Sequence, residues 1–159
     1  MSRAFVKEQD DLPEDLPERP VSTNPNFVTA RGLSLIDAEI DTCRKLLAQG
    51  QHDQNKAAIS RASRDLRYWA QRRSTAQLVE NAGRPEAVGF GCRVTIERED
   101  GRTQAFFIVG EDEADPAKGF IAYTAPMARA LMGKAEGEFA EVPGGEVEVV
   151  NVAPLQPSP

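Results

Sequence analysis

Residues 33–47, LSLIDAEIDTCRKLL, carry the pattern that decides the fold of the first half of the chain. Apolar side chains recur there at alternating steps of three and four residues, at Leu33, Ile36, Ile40, Cys43 and Leu47. This spacing places them along one helix face, as in the a/d seam of a coiled coil. The same pattern resumes at Ile59, Ala62, Leu66, Trp69 and Ala76. Two helices joined by so short a bend must pack antiparallel, which predicts a helical hairpin.

The bend between the two seams reads LLAQGQHDQNKAA, residues 46–58, and contains the single histidine of the chain, His52, beside Asp53. Each seam spans two heptads or a little more, so at 1.5 Å per residue the arm should be roughly 25 Å long. The two polar side chains could form half of a metal or acid–base site. Because two ligands do not complete such a site, we favour a solvated turn.

The periodicity changes from helical to strand-like after residues 81–89, NAGRPEAVG, which we interpret as a linker. The strand-like runs are short, rich in valine, isoleucine and phenylalanine, and separated by glycine-rich or acidic turns, as in an antiparallel sheet. One helical run interrupts them, PMARALMG, which begins at Pro126 and ends before Gly133. The predicted fold class is α+β, with an antiparallel α-helical hairpin followed by a small antiparallel β-domain with one short helix.

Composition divides the chain further. We expect a disordered acidic, proline-rich arm at 1–27, the coiled-coil hairpin at 28–80, the linker at 81–89, the β-domain at 90–153 and a flexible tail at 154–159. The arm lacks the basic start and apolar run of a signal peptide, and no apolar stretch approaches the roughly 20 residues of a membrane helix. We therefore expect a cytoplasmic protein without a membrane contact.

The net charge of the chain, −6, argues against a general nucleic-acid binder. Its distribution is uneven, with a local balance of +4 between Gln54 and Glu80 and of −7 between Glu86 and Val150. A basic arm joined to an acidic domain can face two different surfaces of a large partner. Cys43 and Cys92 lack a metal-binding spacing, so we expect two buried thiols and no zinc site.

Four sequence landmarks occur in order within residues 88–152: GCRVTI, IVGEDEADP, APMARALMGKAEGE and EVEVVNV. Together they resemble the C-terminal domain of the GreA/GreB family of bacterial transcription elongation factors. The segments NFVTARGL and RDLRYWAQRRSTAQLVE resemble the coiled coil of that family more loosely.

The resemblance implies an FKBP-like C-terminal domain that docks at the secondary channel of bacterial RNA polymerase, and a coiled coil that enters the channel. Within the landmark run, the residues implied to dock are Thr124, Ala125, Pro126, Met127 and Arg129. The second helix would present a basic hairpin face to the channel wall, to nascent RNA or to DNA, formed by Arg61, Arg64, Arg67, Arg72 and Arg73. An ordinary charged helix face explains the same arginines equally well.

In cleavage-competent family members an acidic tip helps to hold a second Mg²⁺ at the polymerase active site. The tip GQHDQNK departs from that pattern, since Asp53 is its one carboxylate, and the arm is shorter than a full family arm. We therefore expect a monomeric regulator of elongation that is not itself an enzyme and needs no cofactor, similar in build to the regulator of nucleoside diphosphate kinase. The alternative is a cleavage factor that uses Asp53 and Mg²⁺. A remote third is an FKBP-type peptidyl-prolyl isomerase, although Phe106 and Phe107 should point to opposite faces of one strand.

Two other features have simple structural interpretations. The acidic cluster Glu111, Asp112, Glu113 and Asp115 lacks the ligand spacing of a calcium loop, which favours a solvent-facing turn. Trp69 could stack on a base, but its position in the seam favours core packing.

Overall fold

The computed structural model describes residues 16–80 and 84–155 and divides them into two compact units. The first unit contains residues 16–24 and Ile36–Thr75, which include most of the helical hairpin. The second contains Pro25–Leu35 and the described residues from Ala76 onward, which include every strand that the structure describes. The start of the predicted arm, residues 1–15, lies outside the described residues, as do residues 156–159 of the predicted tail.

The helical hairpin is confirmed. Helix α1 spans Ala30–His52 and helix α2 spans Lys56–Thr75. Their antiparallel pairing is visible at both ends of the hairpin. At the bend, a Cβ on Gly50 would lie 3.2 Å from the Ile59 side chain, and at the other end Arg73 Nε lies 2.8 Å from Asp37 Oδ1. The absence of a side chain at Gly50 therefore lets the two helices approach closely beside the bend.

The predicted seam forms the buried face of α1, with Ile36, Ile40 and Cys43 all buried. The helices are longer than predicted: 23 and 20 residues correspond to about 35 and 30 Å at 1.5 Å per residue. The estimate from the sequence counted only the residues between the outermost seam positions and treated Gly50 as a boundary. Helix α1 instead begins at Ala30, before Leu33, and continues past Gly50 to His52.

The sheet unit opens with a two-stranded parallel pair, β1 (Phe27–Val28) and β2 (Gln77–Leu78), too short to have been visible in the sequence pattern. The main sheet follows, with the strands β3 Cys92–Arg98, β4 Thr103–Val109, β5 Phe120–Ala122, β6 Phe139–Val142 and β7 Gly145–Pro154. Their order is β5-β4-β3-β7-β6. Three of the four pairings are antiparallel as predicted, whereas β4 and β5 pair in parallel. The sheet is therefore mixed.

A bulge in β7 explains how valines at irregular spacing in this strand can all face the same core. The register against β3 shifts between Thr95 and Ile96, so that Ile96 pairs with Val149 and Thr95 with Asn151. Val150 is the extra residue, and it resets the alternation of side chains between the two faces. Val147, Val149 and Val152 are consequently all buried, although the last two are three residues apart.

Helix α3, Pro126–Leu131, is the short helix that the sequence predicted. Its Ala128 and Leu131 are fully buried in the core that also contains Val94 and Ile108 of the sheet. Gly133 follows the helix with a φ of 86°, the left-handed conformation expected where a glycine ends a helix. The helix therefore lies firmly on the sheet and fixes the position of the residues around Pro126.

Candidate functional site

The tip of the hairpin is the three-residue turn at 53–55 between α1 and α2. Asp53 is exposed, and its Oδ2 accepts a hydrogen bond from Gln49 Nε2 at 2.9 Å. Asn55 caps α2, since its Oδ1 accepts from the backbone N–H of Ala58 at 3.1 Å. Gln54 completes the turn with a φ of 53°. The polar residues of the tip thus serve the turn itself, and Asp53 presents the only carboxylate there.

This composition limits what the tip can do with a metal ion. Among the described residues, no group of three or more His, Cys, Asp or Glu side chains is arranged to hold a metal. Mg²⁺ is a hard cation that proteins bind through carboxylates, water and substrate phosphates. A lone carboxylate could serve only as one additional ligand to an ion held by another molecule.

The five arginines of the predicted basic face lie around most of the circumference of α2. At about 100° per residue, Arg67 and Arg73 project about 120° apart. Arg72 is buried, with 2% of its surface exposed. Arg64 pairs with Asp65, and Arg61 is exposed without an ion-pair partner among residues 16–80 and 84–155. These arginines are therefore distributed over several environments on the helix.

The first unit also contains part of the predicted arm. Residues 16–20, LPERP, have no regular secondary structure and lie against α2. Arg67 donates through Nε and Nη2 to Oε1 of Glu18 at 2.8 and 2.6 Å. This hydrogen bond is the main reason why the pKa of the Glu18 carboxyl is lowered. Three arginines of the predicted basic face, Arg64, Arg67 and Arg73, are thus already paired with acids of the same chain.

The implied docking residues surround the start of α3. Pro126 occupies the first helical position and is exposed, as is Arg129, one turn along the same side of the helix. Thr124 and Ala125 precede the helix and are half-buried, whereas Met127 packs against the core. The structure therefore brings these residues together, with Pro126 and Arg129 as the two side chains most open to a partner.

A buried carboxylate in the acidic turn is the main feature that sequence reasoning missed. The expectation of a solvent-facing turn is wrong for Glu113, whose side chain is only 1% exposed. Its Oε1 accepts a hydrogen bond from Thr29 Oγ1 at 2.5 Å, and its Oε2 pairs with Arg31 Nη1 at 2.9 Å. Thr29 in turn accepts from the backbone N–H of Gly32 at 3.0 Å. Glu113 therefore ties the capping residue and first turn of α1 to the sheet.

Two close contacts near Glu113 leave no room for a side chain at positions 32 and 110. A Cβ on Gly32 would lie 2.7 Å from Glu113 Oε1, and one on Gly110 would collide with the backbone oxygen of Phe27. The guanidinium of Arg31 lies 4.2 Å from the centroid of the Phe120 ring. The partners of Glu113 are more than 80 residues upstream. Threonine is a residue type that commonly caps helices, and this preference is the one local signal that could have indicated the role of Thr29.

The aromatic residues of the sheet unit pack against the chain itself. Phe27, Phe90 and Tyr123 form one cluster, and the Tyr123 hydroxyl donates to the backbone oxygen of Pro25 at 2.6 Å. Phe106 packs on the core, while Phe107 stacks on Phe120 with centroids 4.7 Å apart. The predicted opposite orientation of Phe106 and Phe107 is confirmed, so the two rings do not line a common pocket.

Two cysteines and one glutamate make contacts that serve the fold. Cys43 and Cys92 are both buried free thiols, as predicted, and burial raises the pKa of each. Glu136 Oε1 accepts from the Val152 backbone N–H at 3.0 Å and pairs with Arg84, and these contacts lower its pKa, the backbone bond contributing most. Within the described part of the chain, no helix has the length and apolar character needed to cross a membrane.

Comparisons with known proteins agree with the landmarks in the sheet unit. Residues 83–154 match the family model described as transcription elongation factor, GreA/GreB, C-terminal. The chain is 30% identical to transcription elongation factor GreB of Yersinia pestis over 142 residues, which cover 76% of this chain and 83% of that protein. It is 32% identical to GreB of Pasteurella multocida, with 77% and 90% covered.

Similarity to other relatives is confined to a shorter segment. Transcription elongation factor GreA of Verminephrobacter eiseniae is 51% identical over 71 residues, which cover 42% of this chain and 45% of that protein. Among solved structures, GreA factor homolog 1 of Thermus thermophilus aligns at 19% identity with a TM-score of 0.39, covering 79% of this chain and 97% of that one. A GreA/GreB factor of Nitrosomonas europaea aligns at 20% identity with a TM-score of 0.40, covering 80% and 96%.

The matching family model and the two GreB relatives place the chain in a class of transcription elongation factors. The chain belongs to the GreA/GreB family. Membership in a family of elongation factors agrees with the expectation that the chain is not itself an enzyme.

Proposed function

We propose that this protein is a cytoplasmic regulator of transcription elongation that binds bacterial RNA polymerase at its secondary channel and stimulates transcript cleavage weakly or not at all. Family membership supports the association with polymerase. The observation that supports weak or absent cleavage is the composition of the hairpin tip. Asp53 is the single carboxylate there, and the neighbouring polar side chains form hydrogen bonds within the turn.

Docking is assigned to the exposed start of α3. Pro126 and Arg129 project from a helix whose Ala128 and Leu131 are fully buried. A rigid, partly apolar surface with one positive charge suits a protein partner with an acidic rim. The FKBP-like character of this domain, implied by the resemblance, would then serve binding rather than proline isomerisation.

The test of docking is binding of the full chain to bacterial core polymerase, with Pro126→Asp as the disruptive variant. Aspartate is tolerated in the first turn of a helix because it complements the helix dipole, so the fold should persist. Ala117→Asp adds the same charge at another exposed position of the sheet unit and is the matched control. We expect Pro126→Asp alone to weaken binding at least about tenfold, as loss of a contact at the centre of an interface does. Equal affinities of the two variants would refute the assignment.

The second candidate function, assisted cleavage of backtracked RNA, depends on Asp53 alone. Its carboxylate is exposed at the tip and could supply one oxygen to a Mg²⁺ held by polymerase. Under that function Asp53→Ala would abolish cleavage while leaving polymerase binding intact. Under the proposal presented here, the variant leaves RNA cleavage at the rate of polymerase alone, as the unchanged protein does.

A further inference from the structure

The contacts of residues 16–20 with α2 carry an inference that is independent of polymerase docking. The segment places two oppositely charged side chains on the helix, Glu18 on Arg67 and Arg19 on Asp65. The Arg19 guanidinium also lies 4.0 Å from the centroid of the Tyr68 ring and 5.5 Å from that of Trp69. We call residues 16–20 the strap.

The surface under the strap has a definite chemistry. Arg67 presents two N–H donors to one carboxylate oxygen of Glu18, and the neighbouring Tyr68 and Trp69 rings lie 5.0 Å apart, edge to face. Arginine donors of this kind bind phosphate as readily as carboxylate. An aromatic face that accepts a guanidinium plane also accepts a nucleobase. The strap thus provides an anion for the arginine and a flat group for the ring, as a nucleotide would.

The strap is also built to be displaced. Glu18 and Arg67 have 62% and 54% of their side chains exposed, and exposed ion pairs are weak and screened by salt. Pro17 and Pro20 restrict the backbone of the segment, and each proline favours an extended conformation of the residue before it. A short restrained segment loses little entropy on contact, so weak contacts suffice to hold it.

We propose that Arg67, Tyr68 and Trp69 form a binding surface for single-stranded RNA, and that the strap covers this surface until RNA displaces it. Phosphate replaces the Glu18 carboxylate on Arg67, and a base replaces the Arg19 guanidinium on Tyr68.

The decisive variant is the double substitution Glu18→Gln with Arg19→Ala, because it removes both strap contacts without changing the net charge of the chain. We measure the affinity of the isolated full-length protein for a fluorescein-labelled uridine 10-mer at low salt. The proposal predicts about fivefold tighter binding by the double variant, the scale expected when two weak exposed contacts no longer compete. Affinity that is unchanged or lower overturns it, provided that circular dichroism shows the helix content of the unchanged protein.

The binding surface is tested by neutralising one arginine in the strap-free protein. Arg67→Gln should lower RNA affinity several-fold more than Arg61→Gln, which removes the same charge from an exposed position of the same helix. Equal effects would show general electrostatic attraction and refute a defined site. Trp69, the only tryptophan of the chain, supplies a direct signal, since RNA should change its emission in the strap-free protein.

A final experiment distinguishes RNA from an acidic protein surface as the ligand of this site. Polyglutamate of equal charge offers carboxylates but no bases, so it should compete with the labelled RNA at least about tenfold less well, given the contribution of stacking. Competition as strong as that of unlabelled RNA overturns the assignment of RNA as the ligand. All of these experiments use the protein without polymerase. A negative result for RNA binding therefore does not affect the docking proposal, and a negative result for docking does not affect the RNA-binding proposal.

Discussion

Replacing Glu113 by alanine should destabilise the sheet unit more than any substitution of an exposed acid. The change removes the acceptor of the Thr29 hydroxyl and the partner of Arg31, both at hydrogen-bonding distance from a side chain only 1% exposed. Breaking a fully buried charge pair costs about 3–5 kcal/mol, but 40% of the Arg31 side chain reaches water and can be resolvated. We therefore expect a loss of about 2–3 kcal/mol, the scale of one to two hydrogen bonds to a charged group.

A second substitution makes this prediction specific to the observed geometry. In the unchanged protein Gly32→Ala should be destabilising, because the new Cβ would lie 2.7 Å from Glu113 Oε1. In the Glu113→Ala background that oxygen is gone, and alanine is favoured over glycine within a helix by about 1 kcal/mol. Gly32→Ala should then be neutral or stabilising, which gives a coupling free energy of at least about 1 kcal/mol.

The assay is urea unfolding of the four proteins of this cycle, followed by far-ultraviolet circular dichroism and by a signal specific to the sheet unit. Glu99→Gln, an exposed acid in the same unit, serves as the control and should change the free energy of unfolding by less than about 0.5 kcal/mol. If Glu113→Ala lowers the free energy of unfolding by no more than this control does, the contacts of Glu113 with Thr29 and Arg31 do not stabilise the protein as described. The same conclusion follows if the effects of Glu113→Ala and Gly32→Ala are additive.

Three further outcomes follow from the structure. Cys43 and Cys92 should react with a thiol reagent far more slowly in the native protein than in urea, because burial raises the pKa of each thiol; rapid native labelling of both would contradict this. The Glu136 pKa is held below its ordinary 4.5, chiefly by the Val152 N–H, so its contribution is present above pH 4.5 and disappears as the pH falls through the lowered value. Unfolding curves of Glu136→Gln should therefore differ from those of the unchanged protein at pH 7 and converge with them in acid. Asn55→Ala removes the cap of α2 and should cost about 1 kcal/mol of hairpin stability in thermal unfolding, whereas Asn55→Asp should restore most of it.

The sequence predicted the parts of the fold that rest on local periodicity. Steps of three and four residues predicted the buried face of α1 at Ile36, Ile40 and Cys43. Runs rich in valine and isoleucine predicted the strands, of which β3 buries Val94 and Ile96. These patterns are visible because one side of each element faces the core and the other faces water. The two-residue strands β1 and β2 have no room for such a pattern, and the parallel pairing of β5 is decided by the packing of the whole unit.

The side-chain contacts that matter most depend on partners distant in sequence. Glu113 lies in an acidic run that has the composition of a solvated turn, yet its position under Thr29 and Arg31 buries it. The basic hairpin face implied by the family resemblance included Arg72, but tertiary packing buries this residue. Each case reverses a local preference through contacts across the fold, which a single sequence does not display. The tip was predictable because its contacts are local.

The central claim is that this protein occupies polymerase without supplying the metal ligands for cleavage. Its most direct test is the length of RNA in backtracked elongation complexes, incubated with Mg²⁺ and with enough of the protein to saturate polymerase in a parallel binding assay. The account predicts shortening of the RNA at the rate of polymerase alone, for the unchanged protein and for Asp53→Ala alike. Cleavage well above that rate, abolished by Asp53→Ala while binding is retained, would contradict it.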